Sequence, residues 1–238
     1  MTTEYRLNNV EDRAAWNAEY QQQGIPSSHR DDPSGVLVWA LANLGFVTSL
    51  PISAAVDLGC GTGRNSRALA AHGVDLVRGI DFSAEALTIA RARNTSAGVE
   101  FYEGDLSNPL PFETDQFDLA TDIFVYFHQL SDSTRAVYRR EIHRVLKPGG
   151  VLLVSMATNG DGYYAACPVE QVANIESSLP LRWDPIAGVG NILPTYEQLL
   201  SEFADLFDHQ MSWVKSKPGD MHGSVYTRET VATLWLAK

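Results

Sequence analysis

The chain has 238 residues, of which 45% are hydrophobic and 20% charged, values of an ordinary globular protein with enough apolar material for a sizeable core. Its 29 acidic and 18 basic residues give a formal net charge of −11, a surface that repels phosphate backbones and anionic lipid heads. Nucleic-acid and membrane partners are therefore not expected. Two cysteines make neither a disulfide framework nor a metal site, and no apolar run approaches the length of a membrane span. The polar N-terminus reads as no signal peptide, so a cytoplasmic location is expected.

In chain order, residues 8–23 read as a helix with Val10, Trp16 and Tyr20 on its apolar edge, and 24–35 as a loop rich in Gly, Pro, Ser and Asp. Residues 36–46 form a buried helix. Strand-length apolar runs then follow at 54–58, 76–81, 99–105, from 117, and at 151–157. Between them lie helices at 64–72, at 83–94 with Ser83 as N-cap, and at 133–146. Such alternation implies right-handed βαβ units and a parallel sheet. Residues 158–194 read as loop with short helical pieces, 195–204 as a helix, and 206–214 and 230–238 as an antiparallel hairpin. No linker divides the chain. The reading is one domain over 1–238, with a helical cap or lid (1–50), a core (52–158) and an acceptor-side insertion (159–194).

The segment Asp57-Leu58-Gly59-Cys60-Gly61-Thr62-Gly63-Arg64-Asn65 joins the first strand to the next helix. Ligands of open α/β sheets bind at that edge, and glycines let the backbone approach them closely. The spacing is G-x-G-x-G, not the G-x-G-x-x-G of nicotinamide-binding folds, and Asp57 suits a cationic ligand better than a diphosphate. Asp81 closes the second strand, where a carboxylate can accept both ribose hydroxyls, and Phe82 can lie against an adenine face. Asp105 and Asp122 close the third and fourth strands.

D-L-G-C-G-T-G, G-I-D-F-S, E-G-D-L, F-D-L-A-T-D and L-K-P-G-G, in that order over about residues 52–158, resemble the successive motifs of class I S-adenosylmethionine-dependent methyltransferases. The resemblance implies a Rossmann-like, seven-stranded, mostly parallel sheet with helices on both faces and an antiparallel C-terminal hairpin. It implies S-adenosyl-L-methionine as cofactor, surrounded by Gly59, Gly61, Asp81, Phe82, Asp105 and Asp122, and Asp57, Asn65 and Leu106 are candidate cofactor contacts beside them. G-C-G-x-G-R-N-S with a terminal A-T-L-W-L-A-K is further similar to tellurite-resistance and thiol methyltransferase proteins.

Methyl transfer is an in-line displacement in which positioning dominates, and a base is needed only where the nucleophile must lose a proton. His128 and His222 are the candidate bases. Tyr20, Ser28, Tyr126, Tyr163, Tyr164, Arg182 and Tyr226 are the candidate acceptor contacts, and no metal site is expected. The expected function is methyl transfer to a small molecule. The alternatives are a protein or RNA methyltransferase, against which the non-N-P-P-Y segment Asp122-Ile123-Phe124-Val125 argues, and a non-catalytic cofactor-binding regulator. The identity of the acceptor atom, and the choice between monomer and homodimer, stay open.

Overall fold

The structure is a computed structural model that describes residues 9–22, 30–169, 172 and 174–238. Two helices, α1 (Asn9–Gln22) and α2 (Gly35–Val47), precede the alternating part: β1 (Ala54–Leu58), α3 (Arg64–Ala71), β2 (Leu76–Asp81), α4 (Ala84–Arg93), β3 (Val99–Glu103), β4 (Phe117–Ile123), α5 (Asp132–Val145) and β5 (Leu146–Ala157). The remainder is α6 (Gly162–Ala166), β6 (Leu181–Asp184), β7 (Val189–Ile192), α7 (Tyr196–Phe203), β8 (Phe207–Met221) and β9 (Ser224–Ala237).

Seven strands form one sheet in the order β3-β2-β1-β4-β5-β9-β8. The first five run parallel, and β9 lies antiparallel between β5 and β8. Alternate side chains of each central strand enter opposite cores, as the period of a strand requires. Val56, Leu58, Leu152 and Val154 pack with Tyr138 and Ile142 of α5 and Phe203 of α7. Ala55, Val151 and Leu153 pack with Leu37 and Leu44 of α2 and Leu69 of α3. This is the expected Rossmann-like sheet with helices on both faces.

The helix starts follow local chemistry. Ser83 accepts from the Ala86 amide at the head of α4, and Ser131 from Thr134 at the head of α5. Thr195 and Gln198 form a reciprocal capping box at α7.

Two segments differ from the sequence reading. Within 158–194 the structure adds a second, two-stranded sheet of β6 and β7. Four-residue strands flanked by Pro180, Pro185 and Gly188 carry too little periodicity to separate them from loop. The C-terminal hairpin is also longer than expected. Ser216 to Asp220 belong to β8 and pair with Val225 to Glu229, leaving a two-residue turn at His222 and Gly223. Both turn residues have positive φ, 53° and 81°, the geometry that suits a tight hairpin. Pro218 is tolerated because β8 is an edge strand. Among the described residues no helix is long and apolar enough to cross a membrane.

Candidate active site

A cavity of about 510 Å³ opens at the carboxyl ends of β1, β2 and β4. One side is built by the turn after β1. Gly59 and Gly61 both have positive φ, 59° and 52°. A Cβ at Gly59 would collide with Val125, and one at Gly61 would lie 2.7 Å from the Tyr20 hydroxyl. The chain there needs glycine for conformation and for space.

Asp81, 5% exposed, holds this turn against β2. Its Oδ2 accepts from the Gly61 amide at 2.8 Å and its Oδ1 from the Ser83 amide at 2.9 Å. Burial pushes its carboxyl up to about 6, against the pull of those two amides. Gly59, Gly61, Asn65, Asp81, Phe82, Asp105 and Leu106 all line the cavity. The Oδ1 of Asn65 accepts from the Ser34 amide at 3.0 Å, joining the head of α2 to α3. Asp105 accepts from the Ser107 amide and hydroxyl at 2.9 and 2.6 Å. Arg13 lies 5.7 Å from the Phe82 ring centroid and pairs with Glu103 at 2.8 Å.

Helix α1 crosses the cavity. Asn17 accepts from the Ser83 hydroxyl at 2.7 Å, and Trp16 packs edge-on against His128 with centroids 5.1 Å apart. Trp16, on the apolar edge of this helix, lines the cavity beside Tyr20. Burial and the neighbouring Asp81 charge push the Tyr20 phenol well above its usual value.

Two of the nine expected cofactor residues, Asp57 and Asp122, do not line the cavity. Asp57 is turned inward: its Oδ1 accepts from Thr121 at 2.8 Å and its Oδ2 from Ser66 at 2.6 Å, joining β1, β4 and α3. Asp122 accepts from the amides of Val125 and Tyr126 at 3.1 and 2.9 Å and from the Tyr138 hydroxyl at 2.8 Å. Burial raises both carboxyls, Asp122 to about 6. Each is a buried acceptor that organises the strand ends.

The far side of the cavity gathers His128, Tyr164, Asp184, Asn191 and Arg228. The Nδ1 of His128 lies 3.1 Å from the Gly190 carbonyl. That carbonyl can only accept, so Nδ1 carries the proton and Nε2 of the neutral ring is the basic atom. Phe124, at the end of β4, lines the same space with a φ of 65°, a conformation costly for a non-glycine residue.

Several expected acceptor residues stand elsewhere. Tyr126 is fully buried and its hydroxyl meets Glu202 and Arg139, away from the cavity. Tyr163 donates to Asp184 at 2.8 Å, and Tyr226 packs on Tyr163. Arg182 donates to the Leu181 carbonyl at 2.8 Å. His222 sits exposed in the hairpin turn, 5.4 Å from the Tyr163 ring. None of these five lines the cavity. Ser28 lies outside the described residues.

The sequence reading missed Phe124, Asp184, Asn191 and Arg228. The extended β9 brings Arg228 in, with its guanidinium over Tyr163 and Tyr164 and its Nε on Asp161 at 2.8 Å. Among the described residues no group of three His, Cys, Asp or Glu side chains is placed to hold a metal ion.

Residues 55–150, which hold β1 to β4 and the turn that bounds the cavity, match the methyltransferase domain family. Over that stretch the chain is similar to methyltransferase domains. It is 35% identical over 118 residues to a demethylmenaquinone methyltransferase of Clavibacter sepedonicus, covering 49% of this chain and 46% of that protein. It is 34% identical over 129 residues to a 2-phytyl-1,4-naphtoquinone methyltransferase of Nostoc punctiforme, covering 51% and 50%. The chain thus spans about half the length of these curated relatives. In fold it matches the Burkholderia thailandensis 1,6-didemethyltoxoflavin-N1-methyltransferase, a structure with bound 1,6-didemethyltoxoflavin and S-adenosylhomocysteine. The TM-score is 0.66 at 18% identity, over 96% of this chain and 88% of that one. The likeness to tellurite-resistance and thiol methyltransferases read from the sequence is not carried by these matches.

Proposed function

We propose that the protein transfers the methyl group of S-adenosylmethionine to a small-molecule acceptor. The observation that carries this is one continuous cavity, whose wall runs from Gly59, Gly61 and Asp81 to His128. The proposed cofactor side and acceptor side share the same space.

The residues present fit the cofactor. Asp81 offers a buried carboxylate at the end of β2 for a ribose diol. Phe82 offers a ring face, and Asp105 an acceptor for an amino group. Gly59 and Gly61 leave a cradle that a Cβ would fill. When bound, the sulfonium of S-adenosylmethionine supplies an electrophilic methyl group that needs no further activation.

The protein's own work is then positioning and exclusion of water. Helix α1 covers the cavity with Trp16 and Tyr20. His128, with its proton fixed on Nδ1 by Gly190, takes the acceptor's proton at Nε2 where the acceptor must lose one. Phe124 and Tyr164 give the acceptor side apolar walls. The quinone substrates in the names of two relatives agree with an aromatic acceptor.

The test is a turnover assay. The protein is incubated with methyl-labelled S-adenosylmethionine and a panel of small phenols, amines, thiols and carboxylates. Acceptor-dependent formation of S-adenosylhomocysteine, lost in Asp81→Ala, supports the proposal. No turnover with any member, in protein that also fails to bind S-adenosylhomocysteine, contradicts it.

A further inference from the structure

We infer that Phe124 is the residue that selects the acceptor: its ring, set in the cavity wall on a left-handed backbone, stacks on a planar aromatic acceptor in preference to a saturated one of the same size. The inference rests on the proposed methyl transfer and names the specificity-determining residue of that site.

Phe124 has a φ of 65°, a backbone state that a bulky side chain rarely adopts. Among the described residues two other non-glycine positions share it, Asp115 and His222. Aspartate and histidine are types that tolerate this region, and neither residue lines the cavity.

The conformation is imposed from three sides. The Phe124 amide still donates to the Ser155 carbonyl of β5 at 2.7 Å. The next two amides, of Val125 and Tyr126, turn back to the Asp122 carboxylate at 3.1 and 2.9 Å. Val125 in turn is pressed on the glycine turn after β1, where a Cβ on Gly59 would lie 2.4 Å from its Cγ2. A glycine at 124 would meet all three constraints without strain. The chain carries an aromatic ring there instead, and residues held in such states cluster at ligand-binding positions.

The packing around the ring shows what it offers. Phe127, wholly buried, packs edge-on against three rings, Phe124 at 5.9 Å, His128 at 5.3 Å and Tyr164 at 4.8 Å between centroids. Those three are half-buried and line the cavity, whereas Phe127 stands behind them and does not. Tyr164 has the Arg228 guanidinium over its ring at 5.4 Å, and His128 has Trp16 against it at 5.1 Å. Phe124 meets no ring besides Phe127 and no cation among the described residues, so at least one of its faces has no aromatic or charged partner. A planar ring gains on such a face what a puckered one does not.

A matched pair of probes tests this. Protein saturated with S-adenosylhomocysteine is titrated with 2-naphthol and decahydro-2-naphthol, which share a skeleton and a hydroxyl and differ in planarity. The saturated probe is the more hydrophobic, so burial alone favours it. The expected result is 2-naphthol binding at least about fivefold tighter in the wild type and in Phe124→Tyr, as one stacked ring pair implies. Phe124→Leu and Phe124→Met, which keep an apolar side chain without the ring, bring the two probes to within about twofold. Thermal melts of Phe124→Gly and Phe124→Ala read the backbone independently of any ligand. The glycine variant should melt higher, the reverse of the usual order, because glycine adopts positive φ without penalty.

The inference is overturned if 2-naphthol does not bind, if the wild type binds both probes alike or prefers the saturated one, if the preference survives in Phe124→Leu or Phe124→Met or is lost in Phe124→Tyr, or if the alanine variant melts above the glycine variant. Binding of S-adenosylhomocysteine is measured first, in the wild type and in each variant. Its absence in the wild type defeats the proposed methyl transfer, whereas its presence with the wrong probe order defeats only the role of Phe124.

Discussion

The Gly61 amide donates to Asp81 Oδ2 at 2.8 Å, so the turn after β1 and the end of β2 form a single unit. Burial raises the Asp81 carboxyl to about 6 in the ligand-free protein. A ligand that donates to this carboxylate binds its ionised form. Affinity for S-adenosylhomocysteine should therefore fall as pH drops below about 6 and level off above it. Calorimetric titrations at pH 5, 6, 7 and 8 check this. Asp81→Asn should bind weakly at every pH and lose most of the pH dependence.

Two raised carboxyls, Asp81 and Asp122, also affect stability. A carboxyl whose folded value is raised favours the protonated form in the native state, so the native state binds more protons than the unfolded chain between about 4 and 6. Asp81 and Asp122 both behave this way. Their contribution to the unfolding free energy should fall as pH rises through that window. Denaturant melts of Asp81→Asn and Asp122→Asn beside wild type isolate it, since each variant should show a flatter slope.

Asp122 also separates an organising role from a contact. It accepts from Val125, Tyr126 and Tyr138, and does not line the cavity. Asp122→Ala strands three buried donors and should cost about 2–4 kcal/mol of stability. Wherever the variant is still folded, the affinity for S-adenosylhomocysteine should stay within about fivefold of wild type, a loss near 1 kcal/mol.

Gly61 meets Tyr20. An alanine there must adopt a φ near 52° and place its Cβ 2.7 Å from the Tyr20 hydroxyl, with the next ring carbon at 3.5 Å. Gly61→Ala should destabilise by about 1–2 kcal/mol from backbone strain, and more from the clash. Adding Tyr20→Phe removes the nearest atom and should recover part of the loss. A thermal-melt cycle over the two singles and the double measures that coupling.

Beneath the site, Glu202 pairs with Arg135 at 2.9 Å and Arg139 at 2.8 Å and meets the Tyr126 hydroxyl. Arg135 is 1% exposed. Glu202→Ala removes the anion the two arginines share, leaving Arg135 to Asp132 alone, and should cost about 2–3 kcal/mol. Replacing Glu202 and Arg139 together should cost less than the sum of the singles.

The parallel core was legible because its strands are short apolar runs, most of them ending in a charge or a glycine, and α4 carries its own cap at Ser83. The turn Gly59-Cys60-Gly61 and the acids at strand ends were legible for the same reason. The direction of those acids was not. Asp57 and Asp81 look alike in sequence, yet Ser66 and Thr121 turn one inward while two amides hold the other at the cavity wall. The acceptor side was the least legible. It depends on a four-residue hairpin strand, on β8 and β9 extending past Pro218 and Gly219, and on the strained Phe124. All three are set by tertiary packing and leave little periodic signal.

The most direct test of the central claim is calorimetric titration of S-adenosylmethionine, S-adenosylhomocysteine and NAD into the wild type and Asp81→Ala. The account predicts micromolar binding of the two sulfur nucleotides, no binding of NAD, and a loss of about 1–3 kcal/mol in the variant. Binding of NAD in preference to both sulfur nucleotides, or sulfur-nucleotide binding that Asp81→Ala leaves unchanged, would contradict it.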